Sequence, residues 1–162
     1  MNTREITDTM TTLFSELVNG APEGNAFMLN GGDAGLLASL DRLSAEGASA
    51  SANGGATIAA HVNHLTYGLS LMNRWAGGEA NPFADADWSK AWETTSVDDA
   101  RWQALRDGLR DEAARWASAL GQPRDVAPIE LNGMLGSIAH LAYHVGAIRQ
   151  IASAARGPRA DD

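Results

Sequence analysis

From Asp98 to Leu120 the chain reads DDARWQALRDGLRDEAARWASAL. Trp102, Leu105, Leu109, Ala113, Trp116 and Leu120 recur every three or four residues, which places them on one face of a helix. Arg101, Arg106, Arg110 and Arg115 are interleaved with Asp107, Asp111 and Glu112, so the polar face carries both signs and their fields largely cancel. Gly121-Gln122-Pro123 stops the helix. A long helix with so continuous an apolar stripe must bury it against other elements.

The rest of the chain offers partners of the same kind. Ile6, Met10, Leu13, Phe14, Leu17 and Val18 form an apolar face over about 3–19, ended by Asn19-Gly20-Ala21-Pro22. A loop follows with Phe27, Met28 and Leu29, apolar enough to be expected to pack on the body. Asp33 can cap a short helix with Leu36, Leu37, Leu40 and Leu43. Residues 46–56 are small and Gly-rich and read as a linker. Thr57 can cap a helix over about 58–76 with Ile58, Leu65, Leu69 and Met72 inward, and Gly77-Gly78 ends it. Residues 79–96 contain Asn81-Pro82-Phe83, Trp88 and Trp92 and are long for a connection within a bundle, which allows a crossover. The last helix is expected over about 133–155, with Met134, Ile138, Leu141, Val145, Ile148 and Ala152 inward. No segment alternates with period two. The fold class is therefore all-α, a helical bundle in one domain spanning 1–162.

Composition excludes several functions. With 12 Lys and Arg against 20 Asp and Glu, the net charge of -8 opposes a nucleic-acid partner and an anionic membrane surface. No apolar run approaches the ~20 residues that span a bilayer. The N-terminus has no signal-peptide pattern, so a cytoplasmic location is expected. There is no cysteine, so any metal ligands must be His, Asp or Glu.

The chain has four histidines, in two clusters on two helices: His61-Val-Asn-His64 and His140-Leu-Ala-Tyr-His144. Helical spacing puts each pair on or beside one apolar face, where imidazoles can share a metal ion. His61 falls near the middle of its face and His64 about 60° to the side. His140 and His144 lie at the edge of theirs, among the small residues Gly136, Ser137 and Ala147. The competing explanation for each pair is a core-edge histidine satisfied by ordinary hydrogen bonds. The pattern is not that of a metalloprotease, in which Glu follows the first His; here that position is Leu141.

Thr57-Ile58-Ala59-Ala60-His61-Val62-Asn63-His64-Leu65 resembles the start of the second helix of the DinB-like superfamily, where a Ser/Thr-Ile turn leads, seven residues on, into His-Leu or His-Ile. Ser137-Ile138-Ala139-His140-Leu141-Ala142-Tyr143-His144-Val145-Gly146-Ala147-Ile148-Arg149 resembles its final helix, which carries His-x3-His and then Gly-x-Ile-Arg. The resemblance implies a four-helix bundle of up-down-down-up topology with its core at about 33–155, preceded here by an extra N-terminal helix and loop. It implies a divalent metal (Zn, Ni or Fe) on His64, His140 and His144. His61 then becomes a group behind the ligands or an alternate ligand. Relatives of this kind include transferases and isomerases that use small thiols such as bacillithiol or mycothiol, and many are homodimers.

Two functional readings follow. One is a metal-dependent, thiol-linked transferase, hydrolase or isomerase acting on a small-molecule substrate. Tyr67 and Ser137 lie near the histidines in helical register, and Trp88 and Trp92 can form a lid or simply anchor the connection. The other is a non-catalytic ligand- or partner-binding bundle with a structural or vestigial metal. No catalytic residue is assigned, because no carboxylate lies in either His motif; Glu79, Glu93 and Glu130 stand at helix ends with nothing to select among them. A homodimer is expected from the apolar surface of 1–32 beyond one bundle's core.

Overall fold

Three of the four long helices start where a side chain accepts a free backbone N–H. Thr57 takes the N–H of Ala60 and opens α4 (Ile58–Ala76). Asp98 takes that of Arg101 and opens α6 (Asp99–Leu120). Pro128 begins α7 (Pro128–Ile151), where Glu130 Oε2 accepts the N–H of Ala127 at 2.8 Å. The remaining elements of this computed structural model are α1 (Thr3–Asn19), α2 (Gly35–Asp41), α3 (Ala45–Ser49), α5 (Trp88–Ala91) and a 3-10 turn at Ser153–Ala155. The structure describes residues 3–159, so the two ends of the domain expected over 1–162 lie outside it. Those residues contain no strand. No described helix is long and apolar enough to cross a membrane.

α4 packs on α6 and α7, and α1 packs on α2, α6 and α7. The shared core includes Phe14, Leu40, Ile58, Leu109, Trp116, Leu120, Met134 and Ile148, all nearly inaccessible. Trp102 and Trp116 anchor α6 at both ends: Trp102 Nε1 donates to Leu43 O at 2.8 Å and Trp116 Nε1 to Ser137 Oγ at 2.9 Å. Thr66 of α4 lies beside Gly108 of α6, and further on Asn73 Nδ2 donates to Glu112 O at 3.0 Å. Between α4 and α7, His61 faces His144, His64 faces His140, and Trp75 lies against Gly133. Arg149 ties the end of α7 to the buried Asp33 at 2.8 Å.

Several expectations change. α1 is not an addition outside a core at 33–155: Met10, Phe14, Leu17 and Val18 are buried in that core. α7 starts at Pro128 rather than near 133, because proline suits the first helical position and Glu130 satisfies the N–H before it. The linker at 46–56 begins inside α3, whose cap Ser44 accepts the N–H of Gly47. The apolar loop packs only in part. The Glu16 carboxylate gathers the N–H groups of Phe27, Met28 and Leu29, and Leu29 packs on the core, but Phe27 and Met28 stay exposed. Burial alone would raise the pKa of Glu16; the three backbone donors more than offset this and hold it low. Gly20 and Gly35 let α1 and α2 meet at backbone distance: both have positive φ, and a Cβ on Gly35 would stand 2.3 Å from Gly20 N.

Candidate metal centre

The register of α4 against α7 brings all four imidazoles to one place. Nε2 of His140 lies 3.1 Å from Nε2 of His64 and 2.9 Å from Nε2 of His144. Two nitrogens held by one ion at ~2.0–2.1 Å are themselves roughly 3 Å apart, so the spacing suits co-ligands. His64, His140 and His144 thus form a cluster that could hold a metal ion, with ligand atoms all within 4.8 Å of one another. These are the three residues that the DinB-like resemblance singles out.

His61 sits behind this group. Its Nδ1 is 2.7 Å from Nδ1 of His144, so a single proton lies between the two atoms. When Nε2 of His144 offers its lone pair forward, Nδ1 of His144 carries the proton and donates it to His61. His64 is held differently. Its Nδ1 is buried without a hydrogen-bond partner, and the ring instead stacks on Trp92 at 4.2 Å and 24°. Trp92 also meets His61 edge-on at 5.2 Å, and Trp88 lies 5.5 Å from His64. The connection carrying both tryptophans is pinned to α4: Asn63 Nδ2 donates to Ala91 O at 2.8 Å, and Tyr67 Oη accepts the N–H of Asp87 at 3.0 Å.

Burial makes these imidazoles poor bases. Loss of water lowers the pKa of all four. For His64 the neighbouring His140 and His61 add to this and bring it to about 4; for His144 the other three bring it to about 3. The group is neutral near pH 7, with lone pairs available to a cation. Metal-free protein has a matching pH dependence. An unfolded histidine protonates near pH 6.5, whereas the folded site resists protonation down to about 4 and 3, so the unfolded chain takes up more protons below 6.5. The stability from these groups is complete above pH 6.5 and declines as pH falls through that value. Thermal midpoints in chelator should drop between pH 6.5 and ~5, before most carboxylates titrate; a flat profile there would contradict the assignment.

His64 and His140 open on a cavity of about 830 Å³ between α4, α7 and the connection after α4. Gly68 lies at its inner end, where a Cβ would stand 3.9 Å from His140 Cε1. Ser137 lines the cavity, but its hydroxyl donates to Met134 O and accepts from Trp116 Nε1. Trp88 lines it as well, while Tyr67 faces a separate cleft and its hydroxyl holds the connection. The three carboxylates considered as bases are placed elsewhere. Glu79 pairs with Arg74, Glu130 caps α7, and Glu93 lines the separate cleft. Trp75, Phe83, Asn81 and Asn132 also line the cavity; the unusual length of the connection and its Asn-Pro-Phe turn point to Asn81 and Phe83, whereas nothing in the sequence marks Trp75 or Asn132.

Compared with protein-family models, curated proteins and solved structures, the chain gives no significant match.

Proposed function

We propose that this chain is a divalent-metal-binding bundle of the DinB-like type that acts on a small molecule. One observation carries the reading: three neutral imidazoles from α4 and α7 converge, and two of them, His64 and His140, open on a cavity. His64, His140 and His144 would hold Zn²⁺, Ni²⁺ or Fe²⁺, and His61 would orient His144 from behind. Such an ion, when bound, supplies Lewis acidity and lowers the pKa of a group such as a thiol that reaches it. The chain's own residues do the rest. Trp92 fixes the His64 ring, and the apolar walls exclude water and orient what enters. Access beside His64 and His140 favours this reading over a closed structural site.

The up-down-down-up order is supported by three registers. Thr66 meets Gly108 and Asn73 meets Glu112, so α4 and α6 advance together. His61 meets His144 and Trp75 meets Gly133, so α4 and α7 oppose. Thr11 approaches Gly121 while Phe14 and Val18 lie with Arg110 and Ala113, so α1 and α6 oppose.

Elemental analysis of protein purified without a nickel column tests the metal. About one divalent ion per chain is expected, and less than about a tenth of an ion after offering Zn²⁺, Ni²⁺ and Fe²⁺ would end the proposal. His61→Ala should weaken metal affinity about 10–100-fold without abolishing it, because it removes only the partner that orients His144. Chelator competition measures this, and wild-type affinity would show that His61 is a bystander.

A second copy of the chain is the proposed partner. Between Glu130 and Arg149, α7 has no charged residue, yet Leu135 and Tyr143 are exposed. Large apolar side chains exposed on an uncharged stretch of helix call for cover. Light scattering at micromolar concentration should give twice 17.0 kDa. The mass of one chain, or a dimer unaffected by Tyr143→Lys and Leu135→Lys together, would refute this interface.

A further inference from the structure

We infer that the cavity beside the histidines takes an uncharged, largely apolar small molecule with one polar head directed at the imidazoles. The inference deepens the reading above and rests on the same site. At about 830 Å³ the cavity has the size of pockets that enclose a small organic ligand. Its walls are Leu69, Met72, Trp75, Phe83, Trp88 and Ile129. No Lys, Arg, Asp or Glu lines it.

The polar groups stand at the two ends. His64 and His140 occupy the inner end, and the exposed Asn81 and Asn132 lie at the mouth. The hydroxyl of Ser137 is already engaged on both sides. A carboxylate, sulfonate or ammonium in the middle of this space would lose its water and meet no counter-charge, a costly exchange. A ligand with one polar atom at its tip and an apolar body meets a partner at the histidine end and leaves the middle of the space apolar. A small thiol bearing several carboxylates does not fit this description. The charged groups nearby, Asp87, Lys90, Glu93 and Arg101, line a different cleft that contains no histidine.

Glycines keep the space open. A Cβ on Gly133 would stand 2.5 Å from Trp75 Cζ3, so glycine there lets the indole pack against α7 as a wall. Gly136 is the reverse case: it lines the cavity, and a Cβ there would meet nothing within 4 Å. Gly136 is exposed at the edge of the cavity, so a large side chain there can cover the opening without displacing the core.

A matched pair of dyes tests the inference. N-phenyl-1-naphthylamine is neutral and brightens in apolar surroundings; its sulfonated counterpart, anilinonaphthalene sulfonate, adds one negative charge. Both are titrated against wild-type protein, metal-stripped and Zn²⁺-loaded, with metal content measured on each sample. The neutral dye should bind saturably at one site per chain, and the sulfonated dye about tenfold more weakly or worse. Gly136→Trp should abolish binding of the neutral dye while helicity and metal content are unchanged. If the tryptophan variant does not fold, Gly136→Leu should weaken binding severalfold. Equal or tighter binding of the sulfonated dye overturns the inference. So does neutral-dye binding that is absent, or that is untouched by the folded Gly136 variant. Binding to protein that takes up no metal supports the cavity assignment while the metal reading fails. Metal uptake without dye binding is the opposite result.

Discussion

Replacing His64 with alanine is expected to remove the bound divalent ion and leave the helices in place. Two imidazoles would remain, both from α7, and an ion would lose its only link to α4. Affinity should fall on the order of a thousandfold, beyond detection at micromolar protein. The fold should survive because its core consists of Phe14, Leu40, Ile58, Trp116 and Ile148, none of which depends on the ring. The variant also loses a buried imidazole nitrogen that has no partner and a stack on Trp92. Circular dichroism and elemental analysis on one sample measure both effects. Helicity lost together with metal would mean that the site is structural; metal retained at full affinity would mean that His64 is not a ligand.

Trp116→Ala is expected to have the largest effect on stability. Its side chain is almost completely buried, in the centre of the core, and its Nε1 reaches across to Ser137 of α7. Truncating so large a ring removes its apolar burial, leaves a void and frees the hydroxyl of Ser137. Such changes cost ~3–5 kcal/mol. In a domain of this size that is a fall of roughly 10 °C in Tm. Calorimetry at pH 7.5 measures it, and a fall under about 3 °C would show that the site collapses without loss or that the packing is otherwise arranged.

Much of this was legible in the chain because helical signals are local. The stripe from Trp102 to Leu120, the cap Thr57, and the stops Gly77 and Gly121 each depend on residues within a turn or two. They appear in the structure where expected. The start of α7 was harder to place because Ile129 and Leu135 are exposed, so the apolar residues there do not follow one buried face. Pro128 and Glu130 mark that start more reliably than hydrophobicity does. The loop after α1 misled for a related reason. Apolar residues suggested packing, whereas three backbone N–H groups bound to Glu16 decide where the loop lies.

By itself the sequence determined that the chain is helical, where the long helices fall, and that its four imidazoles come in two pairs on two of them. Spacing along a helix sets which side chains share a face, and that is as far as periodicity reaches. Only the tertiary structure decided that α1 belongs to the core, because an apolar face does not specify its partner. It also decided the division of labour among the histidines. His61 and His64 are one turn apart on α4, and which of them points forward depends on how α4 is rotated and slid against α7. That docking brings His64 to His140 and places His61 behind His144. The cavity arises the same way, from the space left beside Gly68 and Gly136 once the helices and the connection have packed and Trp75 has closed on Gly133.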